Sequence, residues 1–180
     1  MKAKRQYRRL KVQKRIRIFF VIYILILIKL IVFKYPYERL VDIAASWSSN
    51  VVFEGLGNAN FVPLKTIKMY IKYSDRLNSF ENLAGNIFAF VPFGMMFPLT
   101  MTRLRRFGIV FVNGLTLVLG IEMFQLISAF GAFDVDDVIL NCLGIVLGYV
   151  IYAAGCSLFP EFIKIMGIKE EKYGADFEKN

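Results

Sequence analysis

The chain has 180 residues, of which 57% are hydrophobic, with a mean hydropathy of +0.52 and a formal net charge of +9. That length bounds it to one domain, and the apolar share exceeds what a soluble domain needs, because soluble cores use one face of each element. Histidine is absent, which removes the commonest general base and the commonest transition-metal ligand together; any chemistry must run on carboxylates, amides, hydroxyls or lysines.

The first 17 residues hold nine Lys or Arg and no acid. Clustered cations can neutralise nucleic-acid phosphates. Here the run leads straight into an apolar helix, so it reads as a cytoplasmic juxtamembrane arm with no nucleic-acid partner. The first span is expected from about Ile18 to Phe33. It is short for a bilayer that wants roughly 20 apolar residues, and snorkelling of Arg17 and of Lys29 or Lys34 would extend it. The following Lys34-Tyr35-Pro36-Tyr37-Glu38 offers no small-residue cleavage site, which argues against a signal peptide.

Residues 34–80 form a long mixed connection, part of which should be folded. Glu38 to Ser46 and Leu64 to Ile71 have the spacing of short amphipathic helices, the second carrying Lys65, Lys68 and Lys72. Gly55 to Pro63 reads as turns. A second span is expected from about Glu81 to Leu99, kinked by Pro92 and Gly94. The third runs from Phe107 to about Ser128 and the fourth from Val135 to about Ala154, with Gly144 and Gly148 as a small-xxx-small pair suited to close helix packing. Cys142 and Cys156 lie 14 positions apart on that helix, roughly 21 Å at helical rise, too far for a disulfide. The tail after Pro160 is charged and reads as disordered.

These elements predict an all-α integral membrane protein. It is a bundle of four transmembrane helices with an amphipathic or re-entrant segment in the first extracytoplasmic loop. Its divisions are a basic arm (residues 1–17), a transmembrane domain (18–156) and a tail (157–180). Arg103, Arg105 and Arg106 mark the second-to-third connection as cytoplasmic, whereas Ala129 to Asp134 has no cation and belongs outside. Both termini then lie inside. The 34–80 loop holds six Lys or Arg although it is placed outside, and long loops count less in this rule.

With that topology, polar residues on three helices share one depth. The second span carries Asn82 and Asn86 one turn apart, the third ends with Glu122 and Gln125, and the fourth begins with Asp136, Asp137 and Asn141. Polar groups in a membrane are costly, so they face one another or a wet cavity. Interhelical hydrogen bonding would account for Asn82 and Gln125, and a solvated loop for Asp134, Asp136 and Asp137, with Asp134 or Asp136 capping the fourth helix; for Asp134 this reading is the better one. A buried Glu122 needs protonation, a partner or a ligand, and Asp137 beside Asn141 is the stronger functional candidate.

These residues carry a resemblance. Glu81-Asn82-Leu83-Ala84-Gly85-Asn86 through Phe90-Val91-Pro92-Phe93-Gly94 is similar to the N-x-x-G-N…F-x-P-x-G helix of the VanZ-like family. Glu122-x-x-Gln125 resembles its E-x-x-Q element, and Asp134 to Gly144 its D-x-D-D-x-x-x-N-x-x-G signature, with Gly148 completing the glycine pair. Asn60 to Leu64 looks like its N-x-x-P-F segment, with Leu64 in place of Phe. The likeness covers about residues 58 to 152. Many members carry an Arg where this chain has Gly131, leaving Lys65 and Lys68 as the nearest cation candidates. The family takes its name from a protein associated with resistance to the glycopeptide teicoplanin, so the resemblance implies a setting in the bacterial cytoplasmic membrane and cell envelope.

The first functional expectation is binding or modification of a lipid-linked envelope component at the outer leaflet. Asn82, Asn86, Gln125, Asp136 and Asn141 would line the pocket. Carboxylates repel a bare phosphate, so Mg²⁺ or Ca²⁺ bridging Asp137, Asn141 and Glu122 to it would be needed. In an enzymatic version Asp137 or Glu122 is the base or metal ligand. The alternative is a non-catalytic membrane protein acting through a partner protein, packed by way of Gly144 and Gly148. A transporter is a third reading, though four spans are few and no internal repeat is visible.

Overall fold

The computed structural model describes residues 2–32, 36–73, 79–100 and 105–159, and these form seven helices. Arg103, Lys34 and the charged tail, all used in the sequence argument, lie outside the described residues. Helix α1 runs over Lys2–Val32, so the basic arm is the first half of the same helix as the apolar run rather than a separate element. The reason is local: Lys, Arg, Gln and Leu are good helix formers, and neither Gly nor Pro occurs before Pro36.

Three short helices follow: α2 (Tyr37–Ala45), α3 (Ser49–Asn58) and α4 (Lys65–Lys72). The expected turn at Gly55–Pro63 is therefore shorter than its composition suggests. Gly55 and Gly57 lie inside α3, and an added Cβ on Gly55 would sit 3.1 Å from the Leu126 side chain. Close approach to a neighbour explains this glycine. Trp47, between α2 and α3, donates its indole N–H to the carbonyl of Ile127 at 2.8 Å.

Helix α5 (Ser79–Thr100), α6 (Phe107–Ser128) and α7 (Val135–Leu158) form the centre. Each is long and apolar enough to cross a membrane, and these are the three such helices among the described residues. In α1 the uncharged run is confined to Ile18–Ile28, between Arg17 and Lys29. Helix α5 continues through Pro92 and Pro98 and spans the whole of the expected segment. Helix α7 runs four residues past the expected Ala154.

Packing of α5 on α7 is backbone against backbone. A Cβ on Gly144 would strike the carbonyl oxygen of Ile87, and one on Gly148 that of Val91, with the Met95 nitrogen 2.9 Å away. From the other side, a Cβ on Gly94 would strike the carbonyl oxygen of Ile145 and lie 2.8 Å from the Tyr149 nitrogen. Position numbers rise together along both helices, so α5 and α7 are parallel. Such contacts suit a membrane, where association rests on close packing rather than on hydrophobic expulsion. Gly114 of α6 admits Ile145, and Phe90, Phe93, Phe97, Val110, Val118 and Ile121 complete the core with Leu27 of α1. Phe20 of α1 meets Phe93 and Phe97 at 5.7 and 5.9 Å, and Tyr23 donates its hydroxyl to the Ala89 carbonyl at 2.7 Å.

Gly148→Ala should destabilise the protein by about 1–3 kcal/mol or more, because the new methyl can only be placed by separating two backbones. Gly120, with nothing within 4 Å of its would-be Cβ, is the control: Gly120→Ala should be neutral or stabilising by up to about 1 kcal/mol. Thermal unfolding in detergent compares the two, and equal shifts would show that the glycine contact does not limit packing.

Candidate functional site at the start of helix α7

The polar residues expected to converge, Asn82 excepted, meet at the end of the bundle where α7 begins, but they are put to different uses. Asp136 is fully buried. Its carboxylate accepts the backbone N–H groups of Leu64, of Thr66 at 2.7 Å and of Ile67 at 3.1 Å. Those are the first N–H groups of α4, which have no intrahelical acceptor, and Leu64, the residue before α4, provides no side-chain cap of its own. An acid on α7 thus caps a helix some seventy positions earlier. Backbone N–H donors and the positive end of the α4 dipole meet its charge.

Asp134 caps α7 itself, accepting from the Asp136 N–H at 2.8 Å. Its carboxylate also accepts from the Asn60 amide at 2.8 Å and the Thr66 hydroxyl at 2.7 Å. A parallel bridge pairs Asn60 with Asp134: the Asn60 N–H donates to Phe133 at 2.8 Å and the Val135 N–H to Asn60 at 2.9 Å. Asn60 Oδ1 closes the turn by accepting from the Val62 N–H at 3.1 Å. Residues 60–67 are thereby clamped onto the start of α7. Phe61 stacks on Phe133 at 5.2 Å, covering the bridge.

Glu122 is 1% exposed and accepts the Asp134 backbone N–H at 3.1 Å. Gln125, also buried, donates to the Ile31 carbonyl at 3.0 Å and so ties α6 to the last turn of α1. Asn86 donates to Asp137 at 2.6 Å, joining α5 to α7 beneath the clamp. Asn82, expected to share that face, is exposed. Asn141, one turn below Asp137, is 2% exposed, and its Oδ1 is buried with no hydrogen-bond partner. Among the described residues no three His, Cys, Asp or Glu side chains are grouped to hold a metal. The cations Lys65 and Lys68 are exposed on α4, on the side opposite Thr66 and Tyr70.

Sequence reasoning missed Asn60 and Thr66 as partners of the acids, and Tyr70 as a neighbour of Asp137. The signal for the first pair was present, since an Asn two residues from a turn and a Thr in a first helical turn both seek local hydrogen bonds. Burial pushes the Tyr70 hydroxyl above its ordinary value, and the charges of Asp137 and Asp134 push it further.

Asp136→Asn turns an N–H donor toward donors and should cost about 1–3 kcal/mol, with amide exchange at Leu64, Thr66 and Ile67 accelerated ahead of the α5–α7 core. Uniform acceleration would mean that the clamp is not a separate unit. Asp137→Asn should lower the Tyr70 titration midpoint, followed by phenolate absorbance, while leaving it above the ordinary value because burial is the larger cause. An unchanged midpoint would place no charge on Asp137 in the wild type.

Residues 20–159 match the VanZ/LLP1 family. Protein VanZ of Enterococcus faecium is 35% identical over 77 residues, which is 41% of this chain and 45% of that protein. The chain therefore aligns with less than half the length of this relative. No solved structure matches. With the family match spanning most of its length, including every residue of the clamp and the Asn86–Asp137–Asn141 face, the chain belongs to the VanZ/LLP1 family.

Proposed function

We propose that this protein crosses the bacterial cytoplasmic membrane four times, with both termini cytoplasmic, and that the face formed by Asn86, Asp137 and Asn141 binds or modifies a lipid-linked envelope component at the outer leaflet. The fourth crossing is the apolar half of α1, whose Arg17 and Lys29 are exposed and able to snorkel to the two interfaces. Arg105 and Arg106, between α5 and α6, support a cytoplasmic position for that connection. The start of α7, the clamp and the amphipathic α4 then lie at outer headgroup depth.

The observation that carries the ligand reading is the Oδ1 of Asn141. A buried acceptor without a donor is costly, and membrane proteins keep such groups where something else supplies the bond. It lies one turn from Asp137, whose carboxylate is already oriented by Asn86. The other acids are less suited to a ligand. Asp134 and Asp136 hold the loop, and Glu122 braces the Asp134 backbone. Asp137 is accordingly the residue placed to act as base in an enzymatic version. Asp137 and Asn141 are the oxygen donors to which Mg²⁺ or Ca²⁺ would bind in bridging to a phosphate. A ligand of this class is also the chemistry through which a role in glycopeptide resistance would run. The partner-protein reading keeps the basic arm as support but loses its glycine face, since α5 already covers Gly144 and Gly148.

Native mass spectrometry of the wild type beside Asp137→Asn and Glu122→Gln tests the proposal. A lipid-linked species, with or without a divalent metal, should remain on the wild type and on Glu122→Gln but be lost from Asp137→Asn. Equal lipid on all three, or none on any, would overturn the ligand reading in favour of a protein partner.

A further inference from the structure

We infer that the opposite end of the bundle, where α5 ends, holds a phosphate-bearing anion on the guanidinium of Arg105, with Arg17 beside it, and that its source is the headgroup of an anionic membrane lipid. The inference does not rest on the function proposed above and concerns different residues.

A helix ends with carbonyls that have no intrahelical donor. Side chains meet three of them in α5. The Thr100 hydroxyl donates to Phe97 at 2.7 Å, Arg105 Nε to Pro98 at 3.2 Å, and Arg17 Nε, from α1, to Thr100 at 3.2 Å. Capping by cations is an ordinary use of Arg at the negative end of a helix, and it would explain one N–H of each side chain. It does not explain the rest of Arg105. Its Nη2 is shut off from solvent and has no hydrogen-bond partner.

The residue is also fixed in place. Its carbonyl accepts the Tyr149 hydroxyl at 2.9 Å, Tyr149 packs edge-on against Phe107 at 5.2 Å, and Nε is held by Pro98. A side chain anchored at its backbone and at Nε, yet left with an unsatisfied Nη2, is organised for an acceptor that the neighbouring helices do not provide. Arg105 as a whole is only half-buried, so part of its side chain remains accessible.

The sequence shows why those helices cannot provide it. Residues 1–37, 82–121 and 138–160 contain no Asp or Glu. They include all of α1, α5 beyond its first turn, α6 up to Glu122 and α7 past Asp137. Lys11, Lys14 and Arg15 of α1 add exposed positive charge on the approach to Arg17. A phosphate has the matching chemistry: its oxygens accept paired N–H bonds from a guanidinium, a geometry that Lys does not reproduce. A basic cluster adjoining a span attracts anionic lipid from the facing leaflet.

The test uses the full-length chain in mild detergent, titrated with phosphatidylglycerol, phosphatidylcholine or inorganic phosphate. Thermal unfolding and retained lipid by native mass spectrometry are the readouts. Phosphatidylglycerol should stabilise the wild type more than phosphatidylcholine does. Its retention should fall about tenfold in Arg105→Gln, as expected for loss of charge-assisted bonds, and by less in Arg17→Gln. Arg105→Lys, which keeps the charge, should lose most of the preference as well. Inorganic phosphate matching phosphatidylglycerol would uphold the anion site but overturn the lipid as its source. If both Arg105 variants unfold, Arg17→Gln still reports on the site. Unchanged selectivity in every variant would overturn the inference.

Discussion

Direct contact between the backbones of α5 and α7 fixes where everything else in this protein can be. With Gly94, Gly144 and Gly148 at the crossing, no side chain separates the two helices, so their relative register has almost no freedom. That register puts Asn86 opposite Asp137. It also sets the level at which Asp134 and Asp136, at the start of α7, meet the loop. A shift by one turn would break the Asn86–Asp137 contact. In a lipid solvent no hydrophobic expulsion compensates a loose helix pair, so the constraint is steric and close to absolute.

Given that frame, the acids at the start of α7 divide by what they can reach. Asp136 is fully buried and satisfied by backbone donors of α4, which makes it a structural anion. Asp134 is shared between its own helix and the loop. Glu122, one helix away, holds the backbone on which both depend. Each carboxylate is costly to bury alone, and each is relieved by N–H groups that would themselves be unpaired. Both the acids and the helix ends are therefore accommodated by the same bonds. Asp137 differs in facing an amide side chain and lying over Asn141, whose carbonyl is unpaired.

Much of this was legible in the sequence. The limits of α6 and the start of α7 fell where Phe107, Ser128 and Val135 suggested, and Glu38–Ser46 and Leu64–Ile71 foreshadowed α2 and α4, because hydrophobic period and capping residues are local signals. The Gly144/Gly148 pair announced a close contact without saying with what, and the answer proved to be the same chain. What could not be read was the division of labour among the acids. Asp136 is spent on N–H groups seventy positions earlier, and no spacing rule reaches that far. Gly55 misled for the same reason: a glycine that admits Leu126 looks in sequence like one that makes a turn. Asn82 and Asn86 share a helical stripe, yet only Asn86 lies where α7 offers a partner.

The placement of charge follows one further consequence of the α5–α7 contact. Because these helices are parallel, their dipoles add, leaving positive ends together at the clamp and negative ends together at the far side. Asp134, Asp136 and Asp137 occupy the first end, and Arg17 and Arg105 the second, so fixed charge opposes the helix fields at both. Each end also retains one buried group of that same character without a partner, a carbonyl oxygen at Asn141 and an N–H-bearing nitrogen at Arg105. Capping alone would leave neither. Among the described residues, two unsatisfied groups of opposite hydrogen-bonding sense thus sit toward opposite ends of the bundle, each beside fixed charge of its own kind.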